Sequence, residues 1–163
     1  RPGSPDVILV ATGSEVQLAV EAAGSLERSG VATRVVSMPC REWFEQQPRR
    51  YQDKVLPPAV RARVSVEAGI SMGWHDVVGD SGRTVSLEHF GASADYETIY
   101  REFGITAYAV VKAARDSLKA AARAAQAPGI TETNPRKRKS GGETDVPGSG
   151  APPAKKTATS KGK

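Results

Sequence analysis

The chain has 163 residues, with 23 Lys+Arg, 18 Asp+Glu and a formal charge of +5 at pH 7. Its one cysteine, Cys40, excludes an internal disulfide framework and a Cys-cluster zinc site, and leads us to expect an intracellular, cytoplasmic protein. Residues 1–118 hold 13 Lys+Arg against 15 Asp+Glu while residues 119–163 hold 10 against 3, so the first part has no basic footprint for nucleic acid, and no apolar run nears the roughly 18 residues of a membrane-spanning helix.

Residues 1–5, RPGSP, read as a linker; with no initiating methionine they raise the expectation of a fragment of a longer polypeptide. Residues 6–12, DVILVAT, have strand length and end at Gly13. From Glu15 to Arg28 the period changes: Val16, Ala19, Val20, Ala23 and Leu26 recur at helical spacing, which predicts an amphipathic helix stopped at Gly30. Ser14 and Gln17 fit an S-x-x-Q capping box at its start. Residues 31–39 carry a second strand around Val35 and Val36. Residues 41–56 predict short helical turns bearing Trp43, Phe44, Tyr51, Val55 and Leu56, broken at Pro48. Residues 62–69, with Val64 and Val66 alternating, give a third strand, and residues 84–87 a fourth after a glycine-rich bend at Trp74. A short helix near 94–103 and a last helix from Thr106 complete the pattern.

Strands alternating with helices predict an α/β layer fold on a mostly parallel sheet, with a domain over 6–127. Residues 128–163 hold 5 Pro and 6 Gly, no aromatic residue and only Ile130 and Val146 as large aliphatics. Such a segment buries too little apolar surface to offset its ordering entropy, so it is expected to be a disordered basic tail.

Strand, glycine turn and helix in the order VATGSEV, residues 10–16, is where many α/β proteins hold a phosphate. Here one glycine stands where a dinucleotide fingerprint needs three, no P-loop lysine follows, and Glu15 occupies the first helical turn, where its charge repels an anion. The stretch therefore reads as a structural turn. His89 follows Glu88 at a predicted strand end, where successive side chains point to opposite faces, and His75 lies in a loop or short helix beside Asp76; neither has metal-ligand spacing. Cys40 has no base near it in sequence and reads as a small packed side chain. Glu67 is the stronger candidate, because VEAG sets a carboxylate at the C-terminal end of a parallel strand, the edge where such sheets carry function. In the tail, Arg136-Lys137-Arg138-Lys139 and Lys155-Lys156 could bind anionic polymers, but no aromatic residue is there to stack on bases, which disfavours nucleic acid as a partner.

Taken together, ATGSEV at 11–16, SMP at 37–39, VLPP at 55–58, VEAGI at 66–70, GW at 73–74, FGASA at 90–94 and FGIT at 103–106 resemble the C-terminal domain of transketolases, in order and over about Asp6 to Leu118. The related domains of 2-oxo acid dehydrogenases and deoxyxylulose phosphate synthases are less similar at the EAG and FGASA segments. The resemblance implies a three-layer α/β/α domain with a five-stranded mixed sheet whose first strand is antiparallel. It also implies a parent enzyme of the pentose phosphate pathway, a homodimer dependent on thiamine diphosphate and Mg2+ or another divalent cation. That enzyme moves a two-carbon ketol unit between sugar phosphates. In the family the cofactor sits between the two preceding domains, and the C-terminal domain serves architecture and dimer contact.

The family's diphosphate and metal motif is G-D-G followed some 25 to 30 residues later by Asn. The nearest match here is Gly79-Asp80-Ser81-Gly82, and the only asparagine is Asn134. No catalytic, cofactor-binding or metal residue is therefore assigned; Glu67 and His89 are kept as functional or interface candidates, and the chain alone is expected to be inactive. Two departures stand out: Glu88-His89 replaces the usual Asp-Arg, which weakens any charge contact of the arginine, and Asp95 replaces a Pro that also suits a first helical turn. The alternative is a free-standing, non-enzymatic interaction or subunit domain.

Overall fold

The five residues of β1 (Val7–Ala11) are all fully buried. A strand with no exposed face needs neighbours along both edges and cover on both sides. A computed structural model of the chain, which describes residues 3–127, supplies them. β2 (Thr33–Ser37) pairs with one edge of β1 and β3 (Arg63–Val66) with the other, and β3 pairs with β4 (Arg83–Val85), giving the order β2-β1-β3-β4 with every pairing parallel. Leu9 stands opposite both Val35 and Val64, and Ala11 opposite both Ser37 and Val66.

Helices join the strands. α1 (Val16–Arg28) follows β1 after a 3-10 turn at Gly13–Glu15; α2 (Arg41–Glu45) and α3 (Arg49–Val55) join β2 to β3; α4 (His75–Val78) joins β3 to β4; α5 (Tyr96–Glu102) and α6 (Ala107–Gln126) follow. The period of two in β1 sorts its side chains between two cores. Val7, Leu9 and Ala11 pack with Ala19, Ala22 and Leu26 of α1 and Val110 and Ala114 of α6, while Ile8 and Val10 pack with Met38, Leu56, Trp74 and Val77 on the opposite face. The result is the expected three-layer α/β/α arrangement.

The sheet differs from the expected five-stranded mixed one. Among the described residues there are four strands and no antiparallel pairing. Each strand reaches the next through a helical crossover and so re-enters the sheet in the same direction. After β4 the chain stays extended only long enough for Leu87 N to reach Gly69 O at 2.7 Å.

The capping box does not form. Ser14 lies inside the 3-10 turn, α1 starts one residue later with Glu15 as its N-cap, and neither Thr12 nor Glu15 makes a side-chain cap bond. Gly13, at φ +48°, supplies the left-handed residue that this tight turn requires. The predicted break at Pro48 is present, as the N-cap of α3. The tail expected over 128–163 lies outside the described residues.

Candidate functional site

From β1 the chain crosses to β2 on one side, then returns over the sheet to β3 on the other. The C-terminal ends of β1 and β3 thus flank the point where strand order reverses, the place where open α/β sheets form a ligand crevice. Glu67 follows β3 directly, and its side chain spans this point. Thr12 Oγ1, just past β1, donates to Glu67 Oε1 at 3.1 Å, and the buried Trp74 donates its indole N–H to Glu67 Oε2 at 2.7 Å. Both carboxylate oxygens are engaged, so Glu67 ties the loop after β1 to the loop after β3. A methyl group at Gly69 would lie 3.4 Å from Glu67 Oε2, an ordinary van der Waals contact, so the carboxylate packs directly over this loop.

A second carboxylate stands beside this point. Glu15 is buried and accepts hydrogen bonds from Tyr100 of α5 and from Ser14 Oγ at 3.2 Å. Burial, then the hydrogen bond to Glu15, pushes the Tyr100 hydroxyl above the usual phenol range. Glu15 does lie in the first turn as expected, but its role is specific: it fastens α5 to the turn after β1. The 85-residue separation left no local signal for that bond.

His89 and Glu88 do not sit on a strand end, because β4 stops at Val85. Glu88 instead ties two loops together. Its Oε1 accepts from the backbone N–H of Ser71 at 2.8 Å and from Ser86 Oγ at 3.0 Å, and these bonds hold its pKa below the usual carboxylate range. His89 is exposed, its Nδ1 2.8 Å from Phe90 O and its ring edge-on against Phe103 at 4.5 Å. Asp95 caps α5, accepting from Thr98 N at 2.9 Å, which serves the helix start where the family's proline would otherwise fix φ. His75 opens α4 and is exposed; Cys40 is half-buried, with its thiol directed at Glu42 Oε2 at 3.3 Å.

The residues present do not fit a diphosphate and its metal ion. Asp80 is taken up in an ion pair with Arg61, which lowers its pKa, and Ser81 Oγ donates to Asp80 Oδ1 at 3.2 Å. Among the described residues no three His, Cys, Asp or Glu side chains are grouped as a metal site needs. Asp80 and Arg61 line a cavity of about 400 Å³ between α2, α3 and α4. Its other arginines are also committed: Arg41 to Glu45, Arg49 to Asp53, and Arg63 to the carbonyls of Leu56, Pro57, Val60 and Val77. Arg41 Nε is the exception, a buried nitrogen with no hydrogen-bond partner among the described residues. Among the described residues no helix is long and apolar enough to cross a membrane.

Residues 1–106 match the family model described as the transketolase-like TK C-terminal domain. The chain belongs to this family. It is 61% identical over 114 residues to the transketolase of Mycobacterium leprae, a match over 70% of this chain and 16% of that one. The solved transketolase of Leishmania mexicana superposes with a TM-score of 0.67 at 44% identity, over 73% of this chain and 17% of that chain. The Pichia stipitis transketolase in complex with sedoheptulose 7-phosphate gives 0.64 at 35% identity over the same shares. The chain thus spans about one sixth of the length of the relatives it matches. As a transketolase C-terminal domain, it places the hydrogen bonds of Thr12 and Trp74 to Glu67 at the reversal of its strand order.

Proposed function

We propose that this chain is the architectural C-terminal domain, over residues 6–127, of a transketolase that transfers a two-carbon ketol unit between sugar phosphates. The observation that carries this reading is the 61% identity to the Mycobacterium leprae transketolase over nearly the whole folded domain. Thiamine diphosphate, the divalent cation and all bond-making are assigned to parts of the enzyme outside this chain, since Asp80 of the nearest motif is engaged by Arg61. The sugar-phosphate class of substrate is supported by the sedoheptulose 7-phosphate named for the Pichia stipitis relative. The assembly is taken to be a homodimer, and the free Cys40 suits a cytoplasmic location.

The test is to express the complete gene and, separately, residues 1–163, each supplied with thiamine diphosphate, Mg2+, xylulose 5-phosphate and ribose 5-phosphate. Turnover is expected only from the complete product. Turnover by residues 1–163, or an inactive complete product with no further domains, overturns the reading.

A further inference from the structure

Three of the chain's four tyrosines meet in one place. Tyr96 and Tyr100 of α5 and Tyr108 of α6 line a cavity of about 370 Å³, and α1 contributes Leu18 and Glu21 to it. The two rings of α5 have centroids 6.2 Å apart and planes at 87°, so they stand as two walls of a corner rather than as a stack. Tyr96 and Tyr108 are exposed by 64% and 79%, which leaves ring surface free for a ligand. The volume falls within the range of small-ligand pockets, about 300–1,000 Å³.

The charge around this corner is negative. Glu97 accepts from the Tyr96 hydroxyl at 3.2 Å, and Glu21 enters no ion pair among the described residues. The Tyr100 hydroxyl meets a third carboxylate, Glu15, which is only 6% exposed. Its hydrogen bonds from Tyr100 and Ser14 both fall on Oε1, and none falls on Oε2 among the described residues. A carboxylate buried this deeply is ordinarily paired with a cation, yet no described Lys, Arg or His pairs with it. The one cation of the lining, Arg101, donates to Glu102 and Thr98 of its own helix. Aromatic faces and carboxylates both attract positive charge, and perpendicular rings offer two faces to one ion.

We propose, independently of the ketol-transfer reading, that this cavity binds a small organic cation, a quaternary ammonium group on a short aliphatic stem. The head lies between the Tyr96 and Tyr100 rings, with Glu21 and Glu97 as counter-charges, and the stem packs on Leu18 and Ala107, the half-buried apolar part of the lining. Glu15 adds negative potential from behind Tyr100 without needing to touch the ligand.

The experiment uses the complete enzyme with choline as the probe and 3,3-dimethylbutan-1-ol, its uncharged carbon isostere, as the control. Titration calorimetry is expected to show saturable choline binding, with the isostere bound about tenfold more weakly or worse. Tyr96→Ala should weaken choline by about tenfold and Glu21→Gln by about threefold, while Tyr96→Phe, which keeps the ring, should retain most of the affinity. Tyr96 and Glu21 are exposed, so the melting temperature of each variant should stay close to the native one. An absence of saturable choline binding overturns the inference. Equal affinity for the isostere does so too, since the pocket would then be selecting apolar volume and not charge. Choline affinity unchanged in Tyr96→Ala, or lost as fully in Tyr96→Phe as in Tyr96→Ala, places any binding away from this ring corner and overturns it as well.

Discussion

Trp74 donates its indole N–H to Glu67 Oε2 at 2.7 Å from a ring that is itself buried, and the carboxylate is the one partner of that nitrogen among the described residues. Removing the acceptor leaves a buried donor unpaired, a loss of about 1–3 kcal/mol. Glu67→Ala is therefore expected to lower the denaturant midpoint by a clear margin. Glu67→Gln, whose amide oxygen still accepts one of the two bonds, should recover part of it. Equal loss in both variants would mean that charge, and not hydrogen bonding, is what the site requires.

Tyr100 gives a prediction for alkaline pH. Its folded-state pKa is raised, through burial and then the bond to Glu15, above the ordinary value of 10.0. A group of this kind contributes stability that is fully present below about 10 and is lost as pH rises through the folded value. Thermal stability followed from pH 8 to pH 11 should therefore fall more steeply for the native chain than for Tyr100→Phe, which cannot ionise. Because Phe also deprives the buried Glu15 of a donor, its stability should already be lower at pH 8; parallel curves across the range would exclude the linkage.

The elements were legible because each carries a local period. DVILVAT and its helix gave β1 and α1 within a residue or two, and Pro48 marked the break between α2 and α3. Glu67 was legible as a position but not as a hydrogen-bond bridge, since Thr12 lies 55 residues away. The indole was nearer, seven residues on in the same loop, yet nothing local says which way it turns. The capping box failed because Ser14 was consumed by a 3-10 turn, a one-residue shift that sequence spacing does not encode. His89 was set on a strand that stops four residues earlier, at Val85, because the pairing of a three-residue edge strand is decided by β3 rather than by its own pattern.

Gly82 reports on packing between α4 and β4. A methyl group there would lie 2.4 Å from Val78 Cβ and 2.5 Å from Val78 O, closer than real contacts allow, and the second atom is backbone. Gly82→Ala must shift α4 against the strand, and overpacking of this kind costs about 1–3 kcal/mol. Gly91, with open space around its position, is the matched control: Gly91→Ala should leave the melting temperature nearly unchanged. If both variants behave alike, the fit of α4 against Gly82 is looser than the geometry states.

Asp80 carries the sharpest functional prediction, because Gly79-Asp80-Ser81-Gly82 is the only stretch resembling the family's metal motif. Its carboxylate is held by Arg61, and that hydrogen bond, followed by the attraction of the guanidinium, keeps its pKa below the usual 3.8. With the folded value depressed, its contribution to stability is present above the unfolded pKa and is lost as pH falls through the folded one. In the complete enzyme, Asp80→Asn should leave the Mg2+ and thiamine diphosphate concentrations for half-maximal activity unchanged. Its effect should instead appear as a smaller dependence of melting temperature on pH below about 4. A metal ligand would behave in the opposite way, since losing one carboxylate from a divalent-cation site weakens affinity for the ion at neutral pH. A rise of tenfold or more in the Mg2+ requirement of Asp80→Asn would therefore move the metal site into this domain.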